Sequence, residues 1–498
     1  MEIVSLEVNN SSGQYRNLWI GDLFVLGVVL TFHFCTIIPA QKLMDYDAFF
    51  HFAEARQMLH EGVFKGINHL PFTILGERGP DHQMLFHLLL IPFTLIDSFM
   101  GLKIATFFFA LLCTILVYLF LRVCRVPLAW LFLLLLFAST PGYAVRVSML
   151  RVQSLAIPLM FFAVFSVVRN RAYLAGLIGL LFSWTYHGAV LCFALACISV
   201  GAVFLVERKV LLRPALYLCL GVVLGQIINP YLPSNFEYLF FHLLFKTSNP
   251  LGLDVGAEWA PASWSFILSQ LWMLVGLGAC AALFSLLKRH DIKSDTLAFF
   301  CLSLTFLIMS FNHGRILEYW IPFTVGFVAL AGRDLKLEKL FRSRISLALT
   351  LILGVFTLQN AFTARSIIDS RHDPEAWRGV VQFLRHNTDE MEIVLNLHWD
   401  DFPLLYFMNP RNRYATGLDP NFLAYASPDR YRLLTALLFA PDQIPDLEQE
   451  LHSAFNTRFI VSHPKERLLL ERHKLLKLVF EAPVALVWRI DSVDLAKH

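Results

Sequence analysis

Hydrophobic residues along this chain fall into long uninterrupted runs, and polar residues gather between them. A run of about 18 or more apolar residues predicts a membrane-spanning helix. Several of the runs are short for a bilayer, which indicates tilt, burial or local thinning. Eleven predicted spans lie at about 17–39, 101–122, 127–143, 152–168, 172–186, 188–206, 214–229, 264–287, 295–311, 317–332 and 345–362.

One apolar segment, 84–97, does not fit a full span. It is short, contains Pro92 and ends at Asp97. These features predict a half-inserted or interfacial helix. The first run, 17–39, is long and has no small-residue cleavage site after it, so we expect no cleavable signal peptide.

Charges in the short loops give the orientation. With the N-terminus inside and eleven spans, every short inner loop is basic, as the positive-inside rule requires. Counting 84–97 as a span would place these clusters outside. The basic residues concerned are Arg122, Arg125, Arg169, Arg171, Arg208, Lys209, Arg213, Lys288, Arg289, Lys293, Arg333, Lys336, Lys339, Arg342 and Arg344.

Three long regions then lie outside, at 40–100, 230–263 and 364–498. In the last, charges become frequent and apolar runs shorten to strand length. Its pattern predicts helices at about 374–387, 427–440 and 464–475, and strands within 392–399, 458–463, 477–482 and 485–490. The predicted fold class is therefore a polytopic α-helical membrane domain, 1–363, followed by an extracytoplasmic soluble α/β domain, 364–498.

Composition agrees with this class. The chain is 57% hydrophobic and 16% charged, with a mean hydropathy of +0.58. Soluble domains carry about 25% charged residues, so a purely soluble fold and disorder are both excluded. The net charge of +3 is small, which argues against nucleic acid as a partner. None of the 8 cysteines forms a CxxC pair, so the cysteines predict neither a disulfide framework nor a zinc site.

Two carboxylates follow the first span in the motif DYDAFFHF. Asp45 and Asp47 flank Tyr46 at the start of a predicted amphipathic helix. At the mouth of a membrane cavity such a pair can act as a general base, or bind a cation that neutralises a phosphate. The alternative is that one of them caps the helix.

Asp-Tyr-Asp directly after the first span, followed by a juxtamembrane helix, resembles the first loop of GT-C fold glycosyltransferases. These polytopic enzymes use sugars carried on polyprenyl phosphate or diphosphate. The resemblance implies that the acidic residue here is the catalytic base, or a residue that orients the acceptor and binds metal. The later stretch GERGPDHQMLFHLLLIPF resembles the family's Pro and aromatic residues before an inserted helix, with Gly-Pro-Asp-His at 79–82 in place of Pro-Pro-Leu.

The stretch 140–158 resembles the second outer loop of oligosaccharyltransferase catalytic subunits. Pro-Gly-Tyr at 141–143 and Arg146 match that loop, but Arg-Val-Gln at 151–153 stands where the family has an acidic metal-binding motif. The missing carboxylates argue against a divalent metal. Arg146 and Arg151 suit an anionic phosphate instead. Alternatively, they are interfacial arginines that meet lipid headgroups.

Arg315, in FNHGRILEYWIP, resembles the late-span arginine of GT-C enzymes, which holds the donor phosphate. Tyr319 lies one turn further on and joins the predicted substrate-binding residues. An outer arginine runs against the positive-inside bias, which favours a functional role. The alternative is a helical ion pair with Glu318.

Further polar residues share the outer face. Glu258, in GAEWAP, is a candidate to meet the acceptor or supply another carboxylate, while Trp259 fits an interfacial anchor. His187 is either a polar lining residue or an ordinary turn histidine. In the tail, Trp399 and Asp400 follow a predicted strand and resemble part of the oligosaccharyltransferase Trp-Trp-Asp-Tyr-Gly motif, which recognises the acceptor sequon. Asp400 also fits a plain loop-shaping role.

Together these motifs favour an inverting glycosyltransferase with Asp47 or Asp45 as base and an arginine clamp for the donor phosphate. A transporter or flippase is the second hypothesis, but it predicts charges deep in the spans and inverted repeats, and neither is evident. A non-catalytic scaffold for envelope polysaccharide assembly is the third. Oligosaccharide transfer to protein competes within the enzyme class, although the second acidic motif is missing.

The expected partners are a polyprenyl-linked sugar donor, a lipid, glycan or protein acceptor, and membrane lipids. No cofactor is required by the residues; if a divalent metal such as Mg²⁺ or Mn²⁺ binds, Asp45 and Asp47 are its expected ligands. The expected location is a bacterial inner membrane with the N-terminus cytoplasmic, and an archaeal membrane also fits.

Overall fold

The computed structural model describes residues 12–490, apart from 41, 44, 64–65, 77–78, 250, 338–342, 372, 440–443, 445–446 and 474–475. The residues before 12, on which the signal-peptide prediction partly rests, lie outside this part of the chain. So do Lys339 and Arg342 of the last basic loop, and the ends of two helices predicted in the tail, at 440 and 474–475.

Every predicted span is helical. The N-terminal part of the chain contains α1 Ser12–Ile37, α2 Asp47–Glu61, α3 Met84–Leu90, α4 Ser98–Val123, α5 Ala129–Ala138, α6 Pro141–Val147, α7 Gln153–Val168, α8 Ala172–Thr185, α9 Leu191–Glu207, α10 Leu212–Ile227, α11 Ser234–Phe240, α12 Trp264–Gln270, α13 Trp272–Leu287, α14 Ser294–Ser310, α15 Leu317–Asp334 and α16 Ser343–Asp369. Among the described residues, three helices are long and apolar enough to cross a membrane alone, and five if each bent pair counts as one.

Two predicted spans are bent rather than continuous. The axes of α5 and α6 differ by 98°, and those of α12 and α13 by 91°. Thr140 begins α6 by accepting the Gly142 N–H on its hydroxyl at 3.2 Å, and Pro141 follows at the first helical position. The segment 84–97 forms α3 and a 3₁₀ turn, Ile91–Leu95, so it is shorter than a span.

Close helix packing depends on glycine where α8 meets α10. A Cβ atom on Gly221 would lie 2.1 Å from the Gly176 carbonyl oxygen, and one on Gly179 would lie 2.2 Å from the Leu218 carbonyl oxygen. Small residues allow two helix backbones to approach this closely, which is common in membrane bundles.

A buried ionic cluster joins the first turn of α14 to the last turn of α15. Arg315 lies between the two helices, at their other ends. Arg333 donates to Asp295 at 2.7 and 2.9 Å and to Asp334 at 2.8 Å. Arg169, at the end of α7, also reaches Asp295, at 3.1 Å. The cluster satisfies charges that would be costly to bury alone, and it fixes three helix ends to one another.

The tail contains a small mixed sheet. Its helices are α17 Arg378–Asn387, α18 Phe402–Met408, α19 Pro420–Ala426, α20 Pro428–Phe439, α21 Leu447–Phe455 and α22 Arg467–Leu470, and its strands are β1 Ile393–Asn396, β2 Arg413–Tyr414, β3 Thr457–Ser462, β4 Leu476–Glu481 and β5 Leu486–Ile490. The strand order is β2-β1-β3-β5-β4. β1 pairs in parallel with β2 and β3, whereas β5 is antiparallel to β3 and β4. The short elements β2, α18, α19 and α21 were not predicted from the sequence, although α21 carries Leu447, Leu451 and Phe455 at helical spacing.

The tail docks on the first loop. Arg56 of α2 donates to the Phe407 carbonyl at 2.9 Å and lies over the Phe407 ring, while the Tyr406 hydroxyl of α18 bonds Gln57. His69 reaches the Pro410 carbonyl at 2.7 Å. Together these contacts bring the turn between β1 and α18 beside the start of α2, where Asp45 and Asp47 lie.

Candidate active site

Arg151 connects the two aspartates of the first loop. Its Nη2 donates to Asp45 Oδ1 at 2.9 Å, its Nε bonds the other Asp45 oxygen, and Nη2 lies 3.3 Å from Asp47 Oδ2. Asp45 Oδ1 also accepts the Asp47 backbone N–H at 3.3 Å. The N-cap of α2 is Tyr46, without a side-chain cap hydrogen bond, so neither aspartate is the N-cap that the alternative expected. Asp45 is 8% exposed and Asp47 is 40% exposed, which leaves Asp47 as the accessible carboxylate.

Three arginines converge on Glu258. Arg146 Nη1 and Arg151 Nη1 donate to Glu258 Oε2 at 2.7 and 2.9 Å, and Arg315 Nη1 donates to Oε1 at 3.1 Å. Burial alone would raise the pKa of the Glu258 carboxyl, but Arg315, Arg151 and Arg146 together hold it well below its usual range. Arg315 therefore pairs with Glu258 of a distant loop, and among the described residues it forms no ion pair with Glu318, the partner that the alternative expected. The three guanidinium groups form a ready-made site for an anion.

The Asp47 carboxyl is tuned toward neutral pH. Desolvation by the walls of the cavity described below raises its pKa to about 6, the nearby Asp45 charge acts in the same direction, and Arg151 opposes both. A carboxylate with a pKa near 6 is still mostly ionised at pH 7, and it is a stronger base than an ordinary aspartate. These are the properties that general-base catalysis requires.

A cavity of about 260 Å³ opens onto this network. Trp399 and Asp400 reach it from the 3₁₀ turn Trp399–Asp401, so the tail closes one wall. Most of the predicted site residues line the cavity, although they come from distant parts of the chain: Asp45, Asp47, Arg151, His187, Glu258, Arg315, Trp399 and Asp400.

Arg146 and Tyr319 lie elsewhere. Arg146 lines a second, more apolar cavity of about 400 Å³, which shares Glu258 and Arg315 with the first. Tyr319 is buried and lines neither cavity. Its hydroxyl donates to the Tyr186 hydroxyl at 3.1 Å, and Tyr186 does line the first cavity. Tyr319 is therefore placed to position Tyr186 rather than to contact a ligand.

Several lining residues escaped the sequence analysis. Lys246 Nζ lies 3.0 Å from Asp419 Oδ2, which joins the 230–263 loop to the tail across the cavity. Asp419 belongs to a Gly-Leu-Asp-Pro stretch that reads as a plain turn. Both side-chain amide atoms of Gln153 are buried without a hydrogen-bond partner in the described structure, and Gln153 lines the cavity. An unpaired buried amide is costly, which makes Gln153 a natural ligand-binding group.

A chain of buried histidines also begins at the cavity wall. His51 Nδ1 lies 2.9 Å from His87 Nε2, and His87 Nδ1 lies 2.7 Å from Asp81 Oδ2. Asp81 comes from the Gly-Pro-Asp-His stretch at 79–82. The carboxylate thus fixes the orientation of His87, and through it that of His51, which lines the cavity.

The side chains around Asp45 and Asp47 do not fit a divalent metal ion. The Arg151 guanidinium lies between Asp45, Asp47 and Glu258, in the place that a shared cation would take, and both Asp45 oxygens accept its hydrogen bonds.

No protein-family model and no curated protein sequence matches this chain. Several solved structures, in contrast, are similar to it. The oligosaccharyltransferase of Archaeoglobus fulgidus in its apo form is 14% identical, with a TM-score of 0.62 over 89% of this chain and 70% of that one. The archaeal oligosaccharyltransferase AglB from Archaeoglobus fulgidus, in complex with an inhibitory peptide and a dolichol-phosphate, is also 14% identical, with a TM-score of 0.61 over 91% of this chain and 70% of that one.

ArnT from Cupriavidus metallidurans bound to undecaprenyl phosphate is also similar. It is 13% identical, with a TM-score of 0.60 over 96% of this chain and 98% of that chain. Identities this low establish the architecture alone. The chain therefore has the multi-pass membrane fold of the GT-C type that its first-loop and arginine motifs predicted, with a small sheet in the tail.

Proposed function

We propose that this chain is a membrane glycosyltransferase that moves a sugar from a polyprenyl phosphate or diphosphate carrier to an acceptor. One observation carries the proposal: Arg146, Arg151 and Arg315 converge on Glu258, which lines both the polar and the apolar cavity, and Arg151 also lies 3.3 Å from Asp47. The pKa of Asp47 is raised to about 6. Solved structures with the same fold include an enzyme complexed with dolichol-phosphate and one bound to undecaprenyl phosphate, which supports a lipid-linked donor.

The donor phosphate binds at the arginine clamp. Guanidinium groups form paired, charge-assisted hydrogen bonds to phosphate oxygens. Glu258 is the anion that these arginines hold in the present structure, and the phosphate shares or takes over its partners. The lipid chain extends into the apolar cavity that contains Arg146 and Arg315 at its polar end. The sugar then lies in the polar cavity, within reach of Gln153 and His187.

Transfer takes place in one displacement. Asp47 accepts the proton of the acceptor hydroxyl as the hydroxyl oxygen attacks the anomeric carbon. The bond from that carbon to the phosphate oxygen breaks on the opposite face, so the configuration inverts. The lipid phosphate leaves with the electron pair, and Arg146, Arg151 and Arg315 stabilise its negative charge. Trp399 and Asp400, on the tail wall, contact the acceptor.

The proposal includes a topology. Eleven spans, a cytoplasmic N-terminus, an extracytoplasmic tail beginning near 364, and a bacterial inner membrane agree with the basic short loops. α16 continues to Asp369, a few residues past that proposed boundary. Impermeant thiol labelling of single cysteines introduced at 171 and 432 should modify position 432 alone in right-side-out vesicles.

The experiment has two arms. In the first, purified full-length protein binds undecaprenyl phosphate, and Arg315→Gln weakens binding while Arg458→Gln, at an exposed ion pair in the tail, does not. In the second, a panel of polyprenyl-phosphate sugars is offered with and without EDTA, and Asp47→Asn is compared with Asp97→Asn, which alters an exposed helix cap in the same loop. The proposal is contradicted if Asp47→Asn consumes donor as fast as wild type does. It is also contradicted if Arg315→Gln binds undecaprenyl phosphate as tightly as wild type does.

A further inference from the structure

Two loops of the tail bring a second set of polar side chains together. His398 follows β1, and His463 and Glu466 follow β3, its parallel neighbour. The carboxyl ends of parallel strands meet at one edge of a sheet, which explains the meeting of residues about 65 positions apart. Each of the three offers one ligand atom, and these atoms lie within 4.8 Å of one another.

The spacing of the first pair suits a shared ion. His398 Nε2 lies 3.1 Å from Glu466 Oε1. Two ligands of a tetrahedral zinc ion, each about 2.0–2.1 Å from the metal, are separated by about 3.3 Å. A small opening of this contact therefore admits an ion. The Glu466 carboxylate is only 8% exposed, so ligands around it are shielded from competing water.

Asp401 orients His463 so that this histidine can also act as a metal ligand. The His463 Nε2 atom lies 2.9 Å from Asp401 Oδ2, so the carboxylate holds the proton on Nε2 and the lone pair stays on Nδ1. The His463 side chain here accepts the Glu466 backbone N–H as a helix cap, and a bound ion would replace that hydrogen bond. Metal-binding histidines usually donate their other ring N–H to a carboxylate in this way. The His398 and His463 rings stack with centroids 3.9 Å apart, and rotation of one ring about χ2 is the movement that ligation by both requires.

The local charges also favour a dication. Glu466 and Asp401 bring two negative charges, against one Lys465 ammonium group 3.6 Å from Glu466 Oε1. Lys465 is 68% exposed, so it can turn toward solvent when an ion binds. Imidazole nitrogens with a single carboxylate are ligands typical of Zn²⁺, which keeps an open coordination position in such sites.

We propose that His398, His463 and Glu466 bind a zinc ion, with Asp401 orienting His463. Trp399 and Asp400 lie between His398 and Asp401 in the chain, and both line the main cavity. A bound ion would therefore fix the part of the tail that forms one cavity wall. The site depends on histidines and a carboxylate, not on the cysteines, and it is independent of the glycosyltransferase proposal.

Zinc stoichiometry tests this site. Full-length protein without a polyhistidine tag is treated with a chelator, equilibrated with free Zn²⁺ and analysed for bound metal. Wild type should retain about one zinc per chain. His398→Gln and the isosteric Glu466→Gln should weaken binding by more than about 10-fold, because even loss of an orienting partner costs 10- to 100-fold. His386→Gln, at an exposed histidine of the same domain, should bind as wild type does.

Two further readouts separate the site from adventitious binding. Lys465→Met removes the nearby cation and should tighten zinc binding, an effect that scattered surface histidines would not produce. Zinc should raise the thermal unfolding midpoint of wild type and leave that of Glu466→Gln unchanged. The proposal fails if wild type and His398→Gln retain equal zinc, if His386→Gln loses as much as His398→Gln, or if wild type retains none.

Discussion

The charge on Arg151 should set the pH at which the proposed base becomes active. Asp47 has a pKa of about 6, and Arg151, whose Nη2 lies 3.3 Å from its carboxylate, holds that pKa down against burial and the charge of Asp45. Arg151→Gln removes the opposing charge and keeps a polar side chain. The Asp47 pKa should therefore rise, so a higher pH is needed to ionise the base.

The size of the shift follows from the contact. An opposite charge within about 4–6 Å of a carboxyl lowers its pKa by about 1–3 units, and loss of Arg151 reverses that effect. With a pKa of about 6, Asp47 is about nine-tenths ionised at pH 7. A pKa of about 7–9 leaves about one-half to one-hundredth ionised. At pH 7 the rate should fall about 2- to 100-fold from this cause alone, and much of the loss should recover at higher pH.

The assay is kcat/KM for donor consumption as a function of pH. Wild type should lose activity as the pH falls through about 6, because Asp47 becomes protonated. Arg151→Lys keeps the charge and loses the paired geometry, so its midpoint should stay close to that of wild type even if its rate is lower. Asp47→Asn should abolish this acidic limb, the loss of kcat/KM as the pH falls through about 6, and should reduce the rate about 10²- to 10⁴-fold.

Two results would refute this reasoning. If Arg151→Gln has the same midpoint as Arg151→Lys, the arginine charge does not control the base. If Asp47→Asn retains a limb near pH 6, another group is responsible for it. Size-exclusion and thermal-unfolding profiles must first show that Arg151→Gln is folded, because Asp45 is buried and loses its main counter-ion in that variant.

Further predictions concern the clamp and the fold. Arg315→Gln should weaken undecaprenyl phosphate binding about 10- to 100-fold, since a hydrogen bond to a charged group contributes about 1.5–3 kcal/mol. Gly221→Ala should lower the thermal unfolding midpoint, because its Cβ would lie 2.1 Å from a facing carbonyl oxygen and overpacking costs about 1–3 kcal/mol. Arg333→Met should destabilise the chain by about 3–5 kcal/mol, since it leaves the buried Asp295 without its strongest partner.

Each of these has a matched control. Gly201→Ala meets no atom within 4 Å and should leave the unfolding midpoint unchanged or slightly raised. Arg169→Gln removes a 43% exposed partner of the same Asp295 and should cost no more than about 1 kcal/mol. If Gly221→Ala is as stable as Gly201→Ala, or if Arg169→Gln is as harmful as Arg333→Met, the packing and burial arguments are wrong.

The local elements were largely readable in the sequence. Long apolar runs favour helices because only a helix satisfies its own backbone in lipid, and all eleven runs are helical. The bends were not foreseen, since the Ser-Thr-Pro-Gly sequence at 139–142 lies at the edge of an apolar run whose hydropathy stays high. In the tail, β1, β3, β4 and β5 lie where alternating apolar residues placed them. The two-residue β2 and the short α18 are too brief to leave a periodic pattern.

The sequence alone determined which chemical groups this protein carries and which of its segments form helices from their apolar runs. Asp45 and Arg151 are 106 positions apart, and only helix packing decided that they share hydrogen bonds. The same holds for Glu258, which no local pattern links to three arginines, and for Lys246, whose partner Asp419 belongs to the tail. Hydrophobic periodicity is a property of neighbouring residues, whereas an ion pair between distant segments depends on the relative placement of whole elements. That placement exists only in the tertiary structure.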